Sequence, residues 1–185
     1  MMRERTFRSW IGRNAVALVV MVLAAGALVG VTLGLPLYQN SRVQADPIDV
    51  AKGESIELAG YTWTLVASGE FPHSSENEDV PDGLAVTAAI IKVRPGDDPE
   101  TSGSCNAELT IGTGPEARRW LTLDNPYDFN YAVLEESKMT CLLEGEPFDY
   151  EVVYLTPEGT ISEAVVEVEI GVLGDGELIR FALTD

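Results

Sequence analysis

An uninterrupted apolar run near the N-terminus constrains this chain more than any other feature. Residues 15–35 contain no charged side chain over 21 positions. At a rise of about 1.5 Å per residue, a helix of that length measures roughly 31 Å, which matches the hydrocarbon core of a bilayer. Trp10 and Tyr38 flank the run, as aromatic residues do at membrane interfaces. The pattern predicts a transmembrane helix over residues 15–38 that contacts lipid.

The charges around this run predict its orientation. The first fourteen residues carry one acidic residue, Glu4, and four basic ones, Arg3, Arg5, Arg8 and Arg13. Basic residues beside a membrane helix favour the cytoplasmic side. We therefore expect a cytoplasmic arm at 1–14, a polar stalk at 39–52 and an extracytoplasmic domain at 53–185.

A cleaved signal peptide is the alternative interpretation of the N-terminal segment. Signal peptides also begin with positive charge, but their apolar region is only about 7–15 residues long. Val43, Gln44 and Ala45 resemble a small-residue cleavage site, yet they lie far beyond the apolar run. An uncleaved anchor is the favoured prediction, and cleavage after Ala45 stays open.

The rest of the chain is strongly acidic. From Arg42 onward it holds eight basic and 29 acidic residues, a net charge of −21, within a whole-chain charge of −18. Such a surface repels phosphate backbones, so nucleic-acid binding is not expected of this portion.

Two cysteines, Cys105 and Cys141, lie in the part expected outside the cytoplasm. An oxidising compartment predicts that they form a disulfide, and two separate thiols are the alternative. Together with the one histidine, His73, they are too few for a usual four-ligand zinc site. The sequence predicts no metal and no cofactor.

Short apolar or alternating runs with turn residues between them follow the stalk. In the run 61–68, Tyr61, Trp63, Leu65 and Ala67 fall on one face and Thr62 and Thr64 on the other, which predicts a half-buried strand. The other predicted strands are 55–58, 84–93, 107–111, 119–123, 148–155, 164–172 and 178–183. The pattern predicts an all-β, immunoglobulin-like antiparallel β-sandwich of seven or eight strands, with 125–137 unassigned.

Two stretches carry a resemblance to a known family. They are Gly-Glu-Ser-Ile-Glu-Leu-Ala-Gly-Tyr-Thr-Trp-Thr-Leu at 53–65 and Phe-Asp-Tyr-Glu-Val-Val-Tyr-Leu-Thr-Pro at 148–157. With the basic N-terminus, membrane helix and stalk, the chain resembles the telokin-like, immunoglobulin-fold envelope proteins of Gram-positive bacteria. The resemblance implies a fold and a location more than an activity. Lipoprotein relatives carry a cysteine near the apolar run, which this chain lacks.

Gly26, Gly30 and Gly34 recur every four residues within the apolar run. Spacing of four places all three on one helix face, where another helix can approach closely. The motif predicts a homodimer or a membrane-protein partner at this face. The alternative is the general enrichment of glycine in membrane helices.

Tyr127, Phe129 and Tyr131 form the candidate binding site of the outer domain. They lie two residues apart among small polar residues, so they can form a rigid aromatic contact surface for a protein or glycan. The alternative is that two or more of them close one end of the core.

Catalytic motifs are absent from the sequence. His73 has no Gly-x-Ser-x-Gly partner motif, and the acidic residues from Glu70 to Asp82 lack the spacing of a calcium loop. The sequence therefore predicts a non-enzymatic, membrane-anchored binding or assembly module of the envelope. A hydrolase or calcium-dependent activity is one alternative, and a passive cap on a regulatory membrane helix is another.

Overall fold

A computed structural model describes residues 46–75, 77–99, 101, 103–171 and 176–184, together with 19–21, 23, 24 and 26. The chain divides into two units, residues 1–43 and 44–185. The six described residues of the first unit are helical, and their side chains are exposed. Within the described part of the chain, no helix has the length and apolar character needed to cross a membrane. The predicted arm and most of the predicted membrane helix, including Gly30 and Gly34, lie outside the described residues.

The second unit is built from two β-sheets. The first sheet has the order β1-β11-β10-β5-β6, with β8 also beside β5, and the second has the order β2-β3-β4-β9-β7. The strands are β1 Ile48–Val50, β2 Ser55–Leu58, β3 Tyr61–Pro72, β4 Leu84–Pro95, β5 Gly103–Ile111, β6 Arg118–Leu121, β7 Ser137–Lys138, β8 Cys141–Leu143, β9 Phe148–Pro157, β10 Val165–Ile170 and β11 Glu177–Ala182. The prediction of an all-β sandwich is confirmed.

All eight predicted runs form strands, but the described part of the chain contains eleven strands rather than seven or eight. The three extra strands are β1, β7 and β8, of only two or three residues each. β1 pairs with β11 and β7 with β9 in parallel, so the sandwich is not wholly antiparallel. The range predicted as a stalk, 39–52, thus includes a strand. Runs this short have no periodicity to detect, and their pairing depends on neighbours distant in sequence.

The main core lies between the two sheets. Trp63 and Tyr61 of β3 are fully buried there, and the indole N–H of Trp63 donates to the carbonyl of Leu58 at 3.1 Å. Alternate residues of the long strands fill the rest of this layer, because successive side chains of a strand point to opposite faces. From β9 they are Phe148, Tyr150, Val152 and Tyr154.

A β-bulge in β3 changes which side chains face the core. The register with β4 shifts between Leu65 and Ala67, so one extra residue, Val66, is inserted. Leu65 is fully buried, whereas Ala67 is exposed. The prediction that Ala67 shares a face with Leu65 is therefore wrong, because alternation restarts in the opposite sense after the bulge.

The segment between β6 and β7, residues 122–136, is here called the strap. The chain leaves the first sheet at β6, passes through the strap, pairs with the second sheet as β7 and returns to the first as β8. Leu123, Phe129 and Tyr131 of the strap pack against a second small cluster formed by Val80, Val86, Ala88 and Val153. The strap therefore covers part of the outer face of the second sheet, which would otherwise expose these apolar side chains.

Candidate functional site

A buried carboxylate fastens the strap to the second sheet. Glu151 lies in the middle of β9, opposite Ile90 of β4, and is fully buried. Its Oε1 accepts a hydrogen bond from the Tyr131 hydroxyl at 2.7 Å, and its Oε2 accepts one from the backbone N–H of Leu134 at 3.0 Å. Both oxygens are satisfied, as burial of a carboxylate requires.

The strap places its three candidate aromatic residues in different environments. A 3-10 helix over Pro126–Phe129 buries Pro126 and half-buries Phe129, because residues three apart share a face in this helix. Tyr131 is half-buried, with its ring 5.5 Å from the ring of Phe71. Tyr127 is 63% exposed. The structure thus does not form one surface from the three rings, and Tyr127 alone among them is fully available for contact.

Leu134 is a second exposed residue of the strap, which the sequence pattern did not single out. Its side chain is 54% exposed, although its backbone N–H is bound to the buried Glu151. Because its backbone is already anchored, the chain loses little backbone conformational freedom when this apolar side chain binds a partner. Leu134 therefore joins Tyr127 as a candidate contact residue.

Two tyrosines provide a test of the Glu151 contact. Tyr154 is fully buried, and its hydroxyl has no hydrogen-bond partner among the described residues. Replacing Tyr131 with Phe leaves Glu151 with one partner fewer, so we expect the free energy of unfolding to fall by about 1–3 kcal/mol. Tyr154→Phe removes only an unsatisfied hydroxyl and should be neutral or stabilising. Urea denaturation of both variants measures the two changes in the free energy of unfolding. An equal loss in both variants would contradict a stabilising hydrogen bond between Tyr131 and Glu151.

Burial raises the pKa of three tyrosines in the domain. Burial raises the pKa of Tyr150 to about 12. The pKa of Tyr131 is raised by burial first, and also by its hydrogen bond to Glu151 and the negative charge of that residue. The pKa of Tyr154 is raised mainly by burial. The neutral phenols are therefore favoured in the folded state.

These shifts predict loss of stability at alkaline pH. The unfolded chain releases the phenolic protons near pH 10, whereas the folded chain retains that of Tyr150 up to about pH 12. The contribution of Tyr150 to the free energy of unfolding is fully present below pH 10. It should then fall by about 1.4 kcal/mol per pH unit as the pH rises towards 12. Urea denaturation midpoints measured between pH 10 and pH 12 test this decline. Tyr150→Phe should flatten the decline, and a decline unaltered by that substitution would contradict it.

The outer face of the first sheet carries a row of charged residues on four neighbouring strands. Asp49, Arg180, Glu167 and Glu108 lie directly opposite one another in the register of β1, β11, β10 and β5. Two glutamates placed side by side repel. Arg119 of β6 offsets this repulsion, since its Nη1 lies 3.1 Å from Glu108 Oε2 and 3.4 Å from Glu167 Oε2.

Glu167 is the buried centre of this row. Its side chain is 4% exposed, and Oε1 accepts hydrogen bonds from Arg180 Nη2 at 2.6 Å and Arg180 Nε at 3.1 Å. Its Oε2 accepts one from the Thr110 hydroxyl at 3.1 Å. With Arg119 also close, each carboxylate oxygen already has partners. Glu167 is therefore suited to hold strands together rather than to act as a general base.

A cleft of about 300 Å³ adjoins this charged row. Two of its lining residues are carboxylates, Asp46 and Glu167, the combination that a hydrolase would require. Glu167 is occupied by its arginine and threonine partners, as described above. The cleft is lined by Asp46, Pro47, Thr113, Gly114, Arg119, Glu167, Leu178 and Arg180.

Two of the acidic residues between positions 70 and 82, Glu70 and Asp82, contact different groups of the protein. Glu70 accepts hydrogen bonds from the backbone N–H groups of Gly159 at 2.6 Å and Ile161 at 3.0 Å. His73 Nδ1 lies 2.6 Å from the carbonyl of Val80, and Nε2 lies 3.1 Å from Asp82. In the described part of the chain, no group of three or more His, Cys, Asp or Glu side chains is arranged to hold a metal ion.

The disulfide between Cys105 and Cys141 is confirmed. The two cysteines lie directly opposite each other in β5 and β8, with their Cα atoms 5.2 Å apart. The bond spans 36 positions of sequence and encloses β6, the strap and β7. It therefore closes the covalent ring that contains the strap.

No family model and no curated protein matches the sequence. The fold is similar to that of a candidate lipoprotein (ycdA) of Bacillus subtilis, at 11% identity and a TM-score of 0.44, over 70% of this chain. The chain spans 38% of the length of that structure. It is also similar to an uncharacterised β-sandwich protein of Clostridium difficile, at 11% identity and a TM-score of 0.39, over 74% of this chain and 95% of the other. The telokin-like resemblance stays a prediction.

Proposed function

We propose that this chain is a non-enzymatic, membrane-anchored binding module of the cell envelope, and that its outer domain contacts a partner protein through the strap. One observation carries the proposal. The strap is held by the buried Glu151, yet Tyr127 and Leu134 project from it with more than half of each side chain exposed. Rigid aromatic and aliphatic side chains are typical anchors of protein interfaces.

The anchoring of the strap supports a preformed contact surface. Besides the two bonds to Glu151, the backbone N–H of Leu123 donates to the carbonyl of Val153 at 2.7 Å. The segment that follows pairs with β9 as β7, and the disulfide closes the ring beyond it. Fixing a loop before binding reduces the entropy lost in the complex.

Three hydrogen-bonded carboxylates of the domain support a binding rather than a catalytic role. Glu151, Glu167 and Glu70 each accept at least two hydrogen bonds from the protein itself. A general acid or base must instead reach the proton of a substrate. These three groups stabilise the fold, which favours a module without chemistry of its own.

Features of both units support the membrane anchor. The apolar run 15–35 is long enough to cross a bilayer. The disulfide fits an oxidising compartment outside the cytoplasm. We therefore propose that the N-terminus lies in the cytoplasm and the sandwich outside it. Protease treatment of intact, wall-stripped cells should then digest the domain, whereas its protection until lysis would contradict this topology.

Photo-crosslinking in intact cells tests the strap surface. A photoreactive phenylalanine analogue placed at Tyr127 or Leu134 should capture a discrete protein partner. The matched control positions are Leu121 and Leu142, which are 70% and 50% exposed but lie in the first sheet. These controls should give no such adduct. Equal capture from all four positions, or none from the strap, would refute the contact surface.

A double substitution gives a second measurement of the same contact. Tyr127→Ser with Leu134→Ser, in a chain without the photoreactive residue, should reduce co-purification of the captured partner at least tenfold, since a buried anchor residue contributes on the order of 2 kcal/mol to binding. Both side chains are exposed, so the thermal unfolding temperature should stay close to that of the unchanged protein. Full recovery of the partner by a folded double variant would count against the proposal.

A further inference from the structure

The second half of β3 has a hydrogen-bonded neighbour on one side only within the described part of the chain. β2 pairs with residues 61–64 of β3, and the bulge at Val66 follows directly. From residue 67 onward, the pairing of β3 is with β4. A strand with one neighbour presents alternate N–H and C=O groups outward, where another strand can pair with them.

This open edge lacks the charged side chains that usually guard an edge strand. Residues 66–71 include one charged side chain, Glu70, and its carboxylate is engaged by Gly159 and Ile161. Val66 and Phe71 are 44% and 46% exposed. The Phe71 ring also contacts Tyr131, so the edge is continuous with the strap. The bulge and Pro72 bound the open segment. Between them the Ser68 hydroxyl donates to the carbonyl of Leu183 at 2.6 Å, a side-chain contact that does not use the backbone groups of β3.

The charge of the domain decides which strand can pair there. Residues 46–185 hold 29 acidic and seven basic residues, a net charge of −22. A second copy of the domain at this edge would bring two such charges together, so repulsion opposes self-pairing. Acidic residues flank the open segment in sequence on both sides, at Glu54 and Glu57 before it and at Glu78 and Asp79 after it. A strand that carries positive charge is attracted by the same field.

We propose that the open edge of β3 binds an extended, basic segment of a partner protein by strand addition. Backbone hydrogen bonds from residues 66–71 supply the pairing, and alternate apolar side chains of the added strand pack beside Val66 and Phe71. Lysine or arginine side chains at the other positions face the acidic surroundings. The proposed contact residues of the strap, Tyr127 and Leu134, are not part of this edge, so this inference does not depend on them.

Amide hydrogen exchange of the purified full-length chain tests the proposal. The probe is a synthetic peptide of alternating lysine and valine, and its matched control alternates glutamate and valine. We expect exchange at residues 66–71 to slow at least tenfold with the basic peptide and to stay unchanged with the acidic one. Raising the salt concentration about tenfold should weaken binding by roughly tenfold, since screening reduces the attraction. Protection confined to another region would overturn the assignment.

Two sets of variants separate this edge from the strap. Val66→Lys with Phe71→Lys adds guarding charges to the edge and should weaken binding of the basic peptide at least tenfold. Both positions are exposed, and thermal unfolding reports whether the variant folds. Tyr127→Ser, in contrast, should bind the peptide as the unchanged protein does. Unaltered peptide binding by the folded lysine variant would overturn the proposal, whatever the strap crosslinks show.

Discussion

Replacing Glu167 with alanine is expected to lower the free energy of unfolding by about 3–5 kcal/mol, because removal of one member of a buried ion pair leaves the other without its partner. Arg180 is the group left behind, and its side chain is only 17% exposed. Asp49 lies 3.6 Å from Arg180 but is 77% exposed, so it cannot replace the buried carboxylate. The same substitution removes the group that separates Arg119 from Arg180 across the row. Urea denaturation at neutral pH measures the loss.

Asp49→Ala is the matched control for the Glu167 substitution. It removes another carboxylate that faces Arg180, but one that is exposed to solvent. Exposed ion pairs contribute about 0–1 kcal/mol, so we expect the free energy of unfolding to change by no more than about 1 kcal/mol. If both variants lost stability equally, the row would act through its overall charge. The central role of Glu167 in holding β10 and β11 together would then be refuted.

Removal of the disulfide is the second substitution with a large expected effect. Cys105 and Cys141 are 36 positions apart. In the chain-entropy model, a bond closing a loop of that length stabilises the folded state by about 4 kcal/mol. We expect the double variant Cys105→Ala with Cys141→Ala to lose roughly that free energy of unfolding. Reduction of the unchanged protein should give a similar loss.

The loss should be accompanied by a local effect on the strap. β8 is only three residues long, and the disulfide joins its first residue to β5. Without that bond, the ring enclosing the strap is open, so amide exchange of residues 122–136 should accelerate more than that of β4 and β9. Leu142→Ala, at an exposed position of the same strand, is the control and should change neither property. Uniform acceleration throughout the domain would contradict a specific link between disulfide and strap.

The strands that the sequence predicted correctly share one physical property. Each of the eight runs is at least four residues long and carries enough β-branched, aromatic or alternating residues to specify a face. β1, β7 and β8 lack that length, and each lies beside a strand distant in sequence. The disulfide was predictable from the expected compartment and the cysteine count, because the described domain contains its two cysteines and no other.

For the candidate aromatic residues, the local sequence pattern was not sufficient to predict which side chains share a surface. Tyr127, Phe129 and Tyr131 have the same spacing as alternate residues of a strand, which would place them on one face. The chain instead forms a 3-10 helix at Pro126–Phe129, which separates Tyr127 from Phe129. Leu134 was not predicted, because its backbone position is fixed by a hydrogen bond to Glu151. That bond joins residues brought together only by the fold.

Sequence alone determined the all-β character, the disulfide and the acidity of the sandwich domain, since these follow from side-chain periodicity, cysteine number and charge. Tertiary structure alone decided the bulge after Leu65, the strap over the second sheet and the two buried glutamates that hold the domain together. A charged residue in a strand is expected to face solvent. Glu151 and Glu167 are buried because the donors that satisfy them, on the strap and on β11, are supplied by segments that only the folded chain brings into contact.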